Sequence, residues 1–169
     1  MSVRKTATLA LLALIALSGH TGPVLASPAE KYIEHGALAV EEGNYEKAAA
    51  AFRLAAKADP ESAAAFYNLG VAYQKLGMPR QAEESYLEAI RLKPDYIGSY
   101  LNLGTVMNEQ GRYEEAIGIL ERGLALDPRN AALYYNLGNA LEKLGDDARA
   151  LESFQKVNEL APEFPDAWH

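Results

Sequence analysis

The sequence predicts an all-α fold: a solenoid of antiparallel helix pairs. Three observations carry that expectation. From Ala29 onward the chain repeats itself every 34 residues. Within each unit apolar residues recur at helical spacing. Gly and Pro punctuate the units at fixed places. The chain is compared only with itself.

The units are 29–62, 63–96, 97–130 and 131–164. Their eighth residues are Gly36, Gly70, Gly104 and Gly138, and their fifteenth are Gly43, Gly77, Gly111 and Gly145. Their twentieth residues are Ala48, Ala82, Ala116 and Ala150, and their thirty-second are Pro60, Pro94, Pro128 and Pro162. In unit two the apolar pattern runs through Tyr67, Leu69, Val71 and Tyr73, then through Ala82, Tyr86, Ala89, Ile90 and Leu92. Each unit therefore reads as two amphipathic helices. Gly77 and its equivalents end the first helix, where a left-handed residue is cheapest as Gly. Pro94 and its equivalents follow the second, which Pro cannot continue. Asp59, Asp95 and Asp127 beside those prolines suit the turn into the next unit. Gly70 and Gly104 fall inside the first helix, where Gly costs about 1 kcal/mol against Ala. Close approach of the second helix is the expected compensation, through its small residues Ala82 and Ala89. Phe52, Tyr86, Leu120 and Phe154 are expected to fill the wider part of that interface.

Residues 1–26 read as an export signal. Arg4 and Lys5 give a positive start, Ala7 to Leu17 form an uncharged, mostly apolar run, and Ser18, Gly19, Gly22 and Pro23 break it. Val24-Leu25-Ala26 has the small-x-small pattern of a cleavage site. Eleven residues of helix reach about 16 Å, half of a bilayer core, so a signal cleaved after Ala26 is favoured over stable membrane insertion. The expected location is periplasmic or secreted. Loss of Arg4 and Lys5 takes the formal charge from −7 to −9. That acidic balance argues against nucleic acid, which demands clustered Lys and Arg. The chain has no cysteine, so disulfides, a thiolate nucleophile and Cys-based zinc sites are excluded.

The repeat pattern resembles the tetratricopeptide repeat. Unit two carries it most fully, through Phe66, Leu69, Gly70, Tyr73, Ala82, Tyr86, Ala89 and Pro94. The resemblance covers 29–164 and implies a right-handed superhelix with a concave inner face. Departures are His35 where Leu is usual, Met107 and Leu141 where Tyr is usual, and Val157 in place of a small residue. His35 is expected to weaken the first interface. Pro165 to His169 read as the start of a possible fifth unit, with Trp168 on the column of Tyr32, Phe66, Tyr100 and Tyr134. The expectation is either a fragment of a longer array or an end covered by Trp168, with self-association through that end face as a further possibility.

No catalytic constellation emerges. His20, His35 and His169 are scattered, and neither a Cys–His pair nor a Gly-x-Ser-x-Gly elbow is present. Glu41-Glu42, Glu83-Glu84, Glu114-Glu115 and Asp146-Asp147 read as solvated helix starts. No cofactor or metal is expected. By the resemblance, the first helix of each unit lines the concave face. The inward residues would be Tyr67, Asn68, Val71, Gln74 and Lys75 in unit two, Leu101, Asn102, Thr105, Asn108 and Glu109 in unit three, and Tyr135, Asn136, Asn139, Glu142 and Lys143 in unit four. Asn68, Asn102 and Asn136 form a column. An Asn side chain can pair with both the C=O and the N–H of an extended peptide. The column either holds such a backbone or bonds only to neighbouring helices and water. Tyr67 and Tyr135 either meet a partner or pack on the next helix. A clamp for a C-terminal carboxylate is not expected, because Ile33, Ala37, Gly98 and Asn102 stand where its polar and cationic residues would be.

The expected function is a non-enzymatic scaffold or adaptor that binds a peptide or partner protein on its concave face. The alternative is the substrate-recruiting arm of a larger enzyme, of glycosyltransferase type, with the catalytic part beyond residue 169.

Overall fold

The computed structural model describes residues 26–161. The segment read as an export signal lies outside these apart from Ala26, as do Pro162 and the 165–169 segment with Trp168. Eight helices are present among the described residues: α1 (Pro28–Glu41), α2 (Tyr45–Ala58), α3 (Ala63–Lys75), α4 (Pro79–Leu92), α5 (Ile97–Glu109), α6 (Tyr113–Leu126), α7 (Ala131–Lys143) and α8 (Asp147–Leu160). They form four hairpins, and no described residue is in a strand. None of these helices is long and apolar enough to cross a membrane.

Helix ends follow local chemistry. Ser27 opens α1 with a reciprocal cap: its hydroxyl accepts from Glu30 N at 3.1 Å and its own N–H donates to Glu30 Oε2 at 2.6 Å. Asn44, Ser62, Asn130 and Asp146 cap α2, α3, α7 and α8 with side-chain oxygens. Each first helix stops at a glycine with φ between 67 and 78°. At Gly77 the Met78 N–H reaches back to Tyr73 O at 2.9 Å and Gly77 N–H to Gln74 O at 3.0 Å. This double closure requires a left-handed residue, which only glycine adopts without steric cost. Asp59 and Asp127 serve their turns through their carboxylates, accepting from Glu61 N and Arg129 N. Asp95 does not: only its carbonyl accepts, from Ile97 N. It follows its proline, whereas Asp59 and Asp127 precede theirs.

The helix-interior glycines differ from expectation in an informative way. A Cβ on Gly70 would lie 2.6 Å from the Tyr86 ring, one on Gly36 2.4 Å from Phe52, one on Gly104 2.5 Å from Leu120 and one on Gly138 2.6 Å from Phe154. The glycine therefore does not face the small residues of the second helix. It makes the seat for that helix's largest side chain. Ala82 and Ala89 are fully buried as well, but they are not what requires Gly70.

Hairpins then stack. One core cluster runs from Ala82 and Tyr86 through Leu103, Leu120 and Leu133 to Leu141 and Ala150; a second joins Ala39, Ala48 and Phe52 to Leu69 and Ala72. Ion pairs cross the outer side: Arg112 grips Glu83 at 2.6 and 3.0 Å and its neighbour Glu115, and Arg149 meets Glu121 at 2.7 Å. Each of the four acidic pairs thus contributes a carboxylate to structure, Glu42 through Lys47, Glu83 and Glu115 through Arg112, and Asp146 as the cap of α8. The first helices α1, α3, α5 and α7 approach one another closely, whereas the second helices do not. That asymmetry curves the row and puts the first helices on its inner side. His35 is exposed and lies with Tyr32, Lys47, Ala50, Ala51 and Leu54 along a groove of about 470 Å³. Its equivalent Leu69 packs back onto the preceding hairpin. His35 faces the side with no preceding hairpin among the described residues, so it stays out of the interface it was expected to weaken.

These contacts separate two kinds of glycine. Gly70→Ala should lower stability by about 1–3 kcal/mol, because the buried Tyr86 cannot move aside. Gly118 is helical and exposed, with nothing near a Cβ. Gly118→Ala should raise stability by about 0.5–1 kcal/mol. Urea denaturation of both variants checks the pair of signs.

Candidate functional site: the inner wall

The inner wall is built by α1, α3, α5 and α7. Tyr67, Asn68, Val71 and Gln74, then Leu101, Asn102, Thr105 and Asn108, then Tyr135, Asn136 and Asn139 are all half-buried, and Glu142 is exposed. Along one edge Glu41, Lys75, Glu109 and Lys143 alternate in sign, one per repeat, and all four are exposed. Glu34 heads the asparagine column on α1, and the half-buried positions of the column and its neighbours on α3, α5 and α7 are uncharged, although the chain as a whole is acidic.

The three column asparagines are not equivalent. Asn102 Nδ2 donates to the Tyr67 hydroxyl of the preceding repeat at 3.3 Å. Asn136 Nδ2 donates to Ala132 O in its own helix at 3.0 Å, while its Oδ1 lies 3.2 Å from Thr105 Oγ1. Thr105 shares its one proton between that oxygen and Leu101 O at 2.9 Å. Asn108 Nδ2 donates to the Asn136 carbonyl at 2.9 Å. Thr105, Asn108 and Asn136 therefore form a polar clasp between α5 and α7. The buried Asn108 Oδ1 receives no hydrogen bond among the described residues. Asn68 makes no side-chain hydrogen bond to any described residue. The positions equivalent to Tyr67 and Thr105 in the preceding repeat are Ile33 and Ala37, which carry no polar group to meet it.

Beside the column lies an aromatic group that sequence reasoning assembled only in part. The Tyr67 ring is tilted against Tyr96 at 4.8 Å between centroids and against Tyr86 at 6.0 Å. Gly98 gives it room: a Cβ there would come within 3.1 Å of the ring. Tyr86 donates to Gln74 Oε1 at 3.0 Å. Burial holds the Tyr86 phenol above its ordinary value of 10.0, neighbouring Tyr67 adds to the rise, and the Asn102 amide opposes it. Burial and Tyr67 also raise Tyr96. Tyr96 and Gly98 were the residues missed. Their signal was present in the repeat itself. Tyr96 occupies the capping column of Ser62 and Asn130, and Gly98 the column of Ala64 and Ala132. Leu101 packs against the main core, and Tyr135 sits 6.1 Å from Phe154. No cluster of His, Asp and Glu that could hold a metal occurs among the described residues.

With this geometry in place, known proteins supply the class. Family models described as TPR repeat or tetratricopeptide repeat match residues 36–77 and 106–145, 63–96, 85–118 and 131–164. The chain is a tetratricopeptide-repeat protein, folded as the all-α superhelix of that class. Among solved structures, MamA is 29% identical, covering 76% of this chain and 75% of that one, with a TM-score of 0.73. YrrB, described as a TPR protein with an unusual peptide-binding site, is 26% identical over 82% of this chain and 71% of its own, with a TM-score of 0.73. PilF of Pseudomonas aeruginosa is 31% identical over 82% of this chain and 63% of its own, with a TM-score of 0.74. No curated protein matches the chain.

The Tyr86 phenol gives the wall a pH signature. In the unfolded chain it ionises near 10.0, and in the folded chain only above that. Its contribution to stability is therefore complete below the lower value and is lost as pH rises past it. Between pH 10 and about 11.5 the melting temperature of the unaltered chain should fall more steeply than that of Tyr86→Phe. Parallel slopes would mean that Tyr86 is not shielded from water.

Proposed function

We propose that the protein is an exported, non-enzymatic scaffold that holds an extended segment of a partner protein along its inner wall. The observation that carries this reading is the wall itself. Close approach of the first helices leaves a half-buried surface of aromatic, aliphatic and amide side chains, the composition of a surface that closes on another chain. The likeness to YrrB, described as having a peptide-binding site, points the same way. No nucleic-acid role is proposed, since the inner wall offers only Lys75 and Lys143 as cations among the positions named above.

Export is supported by the 1–26 segment and by the start of the folded body. Cleavage after Ala26 leaves the Ser27 cap intact, and the new ammonium would fall on the Glu30 carboxylate that Ser27 N already meets at 2.6 Å. Intact-mass measurement of the protein from a secreting host should give a chain beginning at Ser27; an unprocessed Met1 chain would count against export.

Binding is tested by comparing two surfaces. End-capped peptides with uncharged side chains, spotted as an array, serve as probes for the chain from Ser27 onward. Asn139→Arg pushes a long cation into the inner wall, and Leu87→Arg changes the exposed outer side of α4. The inner variant should lose about tenfold in affinity, the size of a well-placed contact, while the outer one binds as before. Equal effects of the two, with circular dichroism unchanged, would defeat the reading.

A further inference from the structure

We infer that a second copy of this chain seats on the side of the first hairpin that no described hairpin covers. The α7–α8 hairpin of one molecule then leads into the α1–α2 hairpin of the next, with Leu151 of one copy against Leu38 of the other. This joint lies apart from the inner wall, and its test leaves the reading of that wall untouched.

Two columns of the repeat carry the inference. Leu151 and Leu38, 60% and 50% exposed, are the most exposed large apolar side chains among the described residues. Each stands in a column that is otherwise covered. Ala72, Val106 and Ala140, the equivalents of Leu38, are fully buried. Of the equivalents of Leu151, Ala49 is buried, Ile117 packs half-buried on the main core, and Glu83 is held by Arg112 of the next hairpin. The two columns come together at the joints between hairpins. Ala49 and Ala72 share a cluster at the first joint, and Ile117 packs on the cluster of Ala140 at the third. Setting α7–α8 of one copy ahead of α1–α2 of another therefore brings Leu151 to Leu38. Leu87 gives the contrast. It is 44% exposed, but its equivalents Arg53, Glu121 and Gln155 are exposed as well, as on a solvated surface.

A hairpin side that meets only water carries polar residues in a stacked array. Here the groove of about 470 Å³ on that side of α1–α2 is walled by Ala50, Ala51 and Leu54, where the fourth repeat has Glu152, Ser153 and Lys156. The polar contacts of a joint carry over too. Arg149 reaches back from the fourth hairpin to Glu121 of the third at 2.7 Å. Lys47 stands in the column of Arg149 and Gln155 in that of Glu121, so the ammonium gains an amide oxygen to donate to. A second copy supplies the missing neighbour of both leucines at once. Lys31 and His35 stand in columns that are buried in the later repeats, as Ala65, Ser99 and Leu133 and as Leu69, Leu103 and Leu137. They make this joint weaker than those within the chain, so it forms with rising concentration. Its two sides differ, so the contact is head to tail and does not close at two copies.

Sedimentation velocity of the chain from Ser27 onward, over about 1 µM to 1 mM, should show a weight-average mass that climbs past that of a dimer. Leu38→Glu and Leu151→Glu should each weaken association about tenfold or more. Their melting temperatures should stay unchanged, since both side chains are exposed in the single molecule. Mixed in equal amounts, the two variants should form a one-to-one dimer and nothing larger, because each keeps the side that the other has lost. Leu87→Glu should associate as the unaltered chain does. An unaltered chain that stays monomeric throughout overturns the inference, and leaves a segment outside the described residues or a different protein as the cover for these leucines. Association undiminished in either single variant, or reduced equally by Leu87→Glu, puts the joint elsewhere and overturns it. So does a mixture of the two variants that stays monomeric, because these two sides then do not meet.

Discussion

A glycine in the middle of one helix and a bulky side chain sixteen residues later meet in each of the four repeats. Gly36 receives Phe52, Gly70 receives Tyr86, Gly104 receives Leu120 and Gly138 receives Phe154. The missing Cβ is what lets the two helices of a hairpin close on a large residue. The gain has to exceed the roughly 1 kcal/mol that glycine costs within a helix. Burial of a whole aromatic or leucine side chain, about 1.5–3 kcal/mol relative to exposure, is enough to do so. The Schellman turns at the fifteenth position then fix how one helix leads into the next.

That hairpin geometry sets the shape of the inner wall. With the large residues seated inside each pair, the first helices of successive repeats draw near one another and the second helices stay apart. Curvature follows, and so does a surface that is half-buried without being core. Such a surface carries side chains that are ordered by their neighbours but still reach a partner. The Thr105–Asn108–Asn136 clasp shows how the wall is tied together by the residue types that could also bind a ligand. Polar groups at a curved interface serve stability first and binding with what capacity is left.

Differences between the repeats matter more to the site than their likeness. Tyr96 replaces a capping residue and Gly98 replaces an alanine, and together they hold Tyr67 in place. Ile33 and Ala37 remove the polar partners that Asn68 would otherwise have. His35 is tolerated where later repeats need leucine because no preceding hairpin packs against it among the described residues. The regular columns build the scaffold, and the exceptions to them shape the surface.

The sequence by itself determined the architecture. A 34-residue period with helical spacing, a fixed glycine at each turn and a proline after each second helix admits little besides stacked hairpins, because every one of those features is a local requirement of the backbone. It also determined which helix face would carry the candidate residues. Only the tertiary structure decided what each glycine was for, since the sixteen-residue partner is a matter of side-chain direction across a hairpin. Only the tertiary structure decided how each asparagine of the column is paired. Asn68, Asn102 and Asn136 are identical in type and spacing, yet Asn102 meets Tyr67, Asn136 meets Thr105 and the Ala132 carbonyl of its own helix, and Asn68 has no side-chain hydrogen bond among the described residues. Hydrogen-bond occupancy depends on neighbours far apart in the chain, and no periodicity records it.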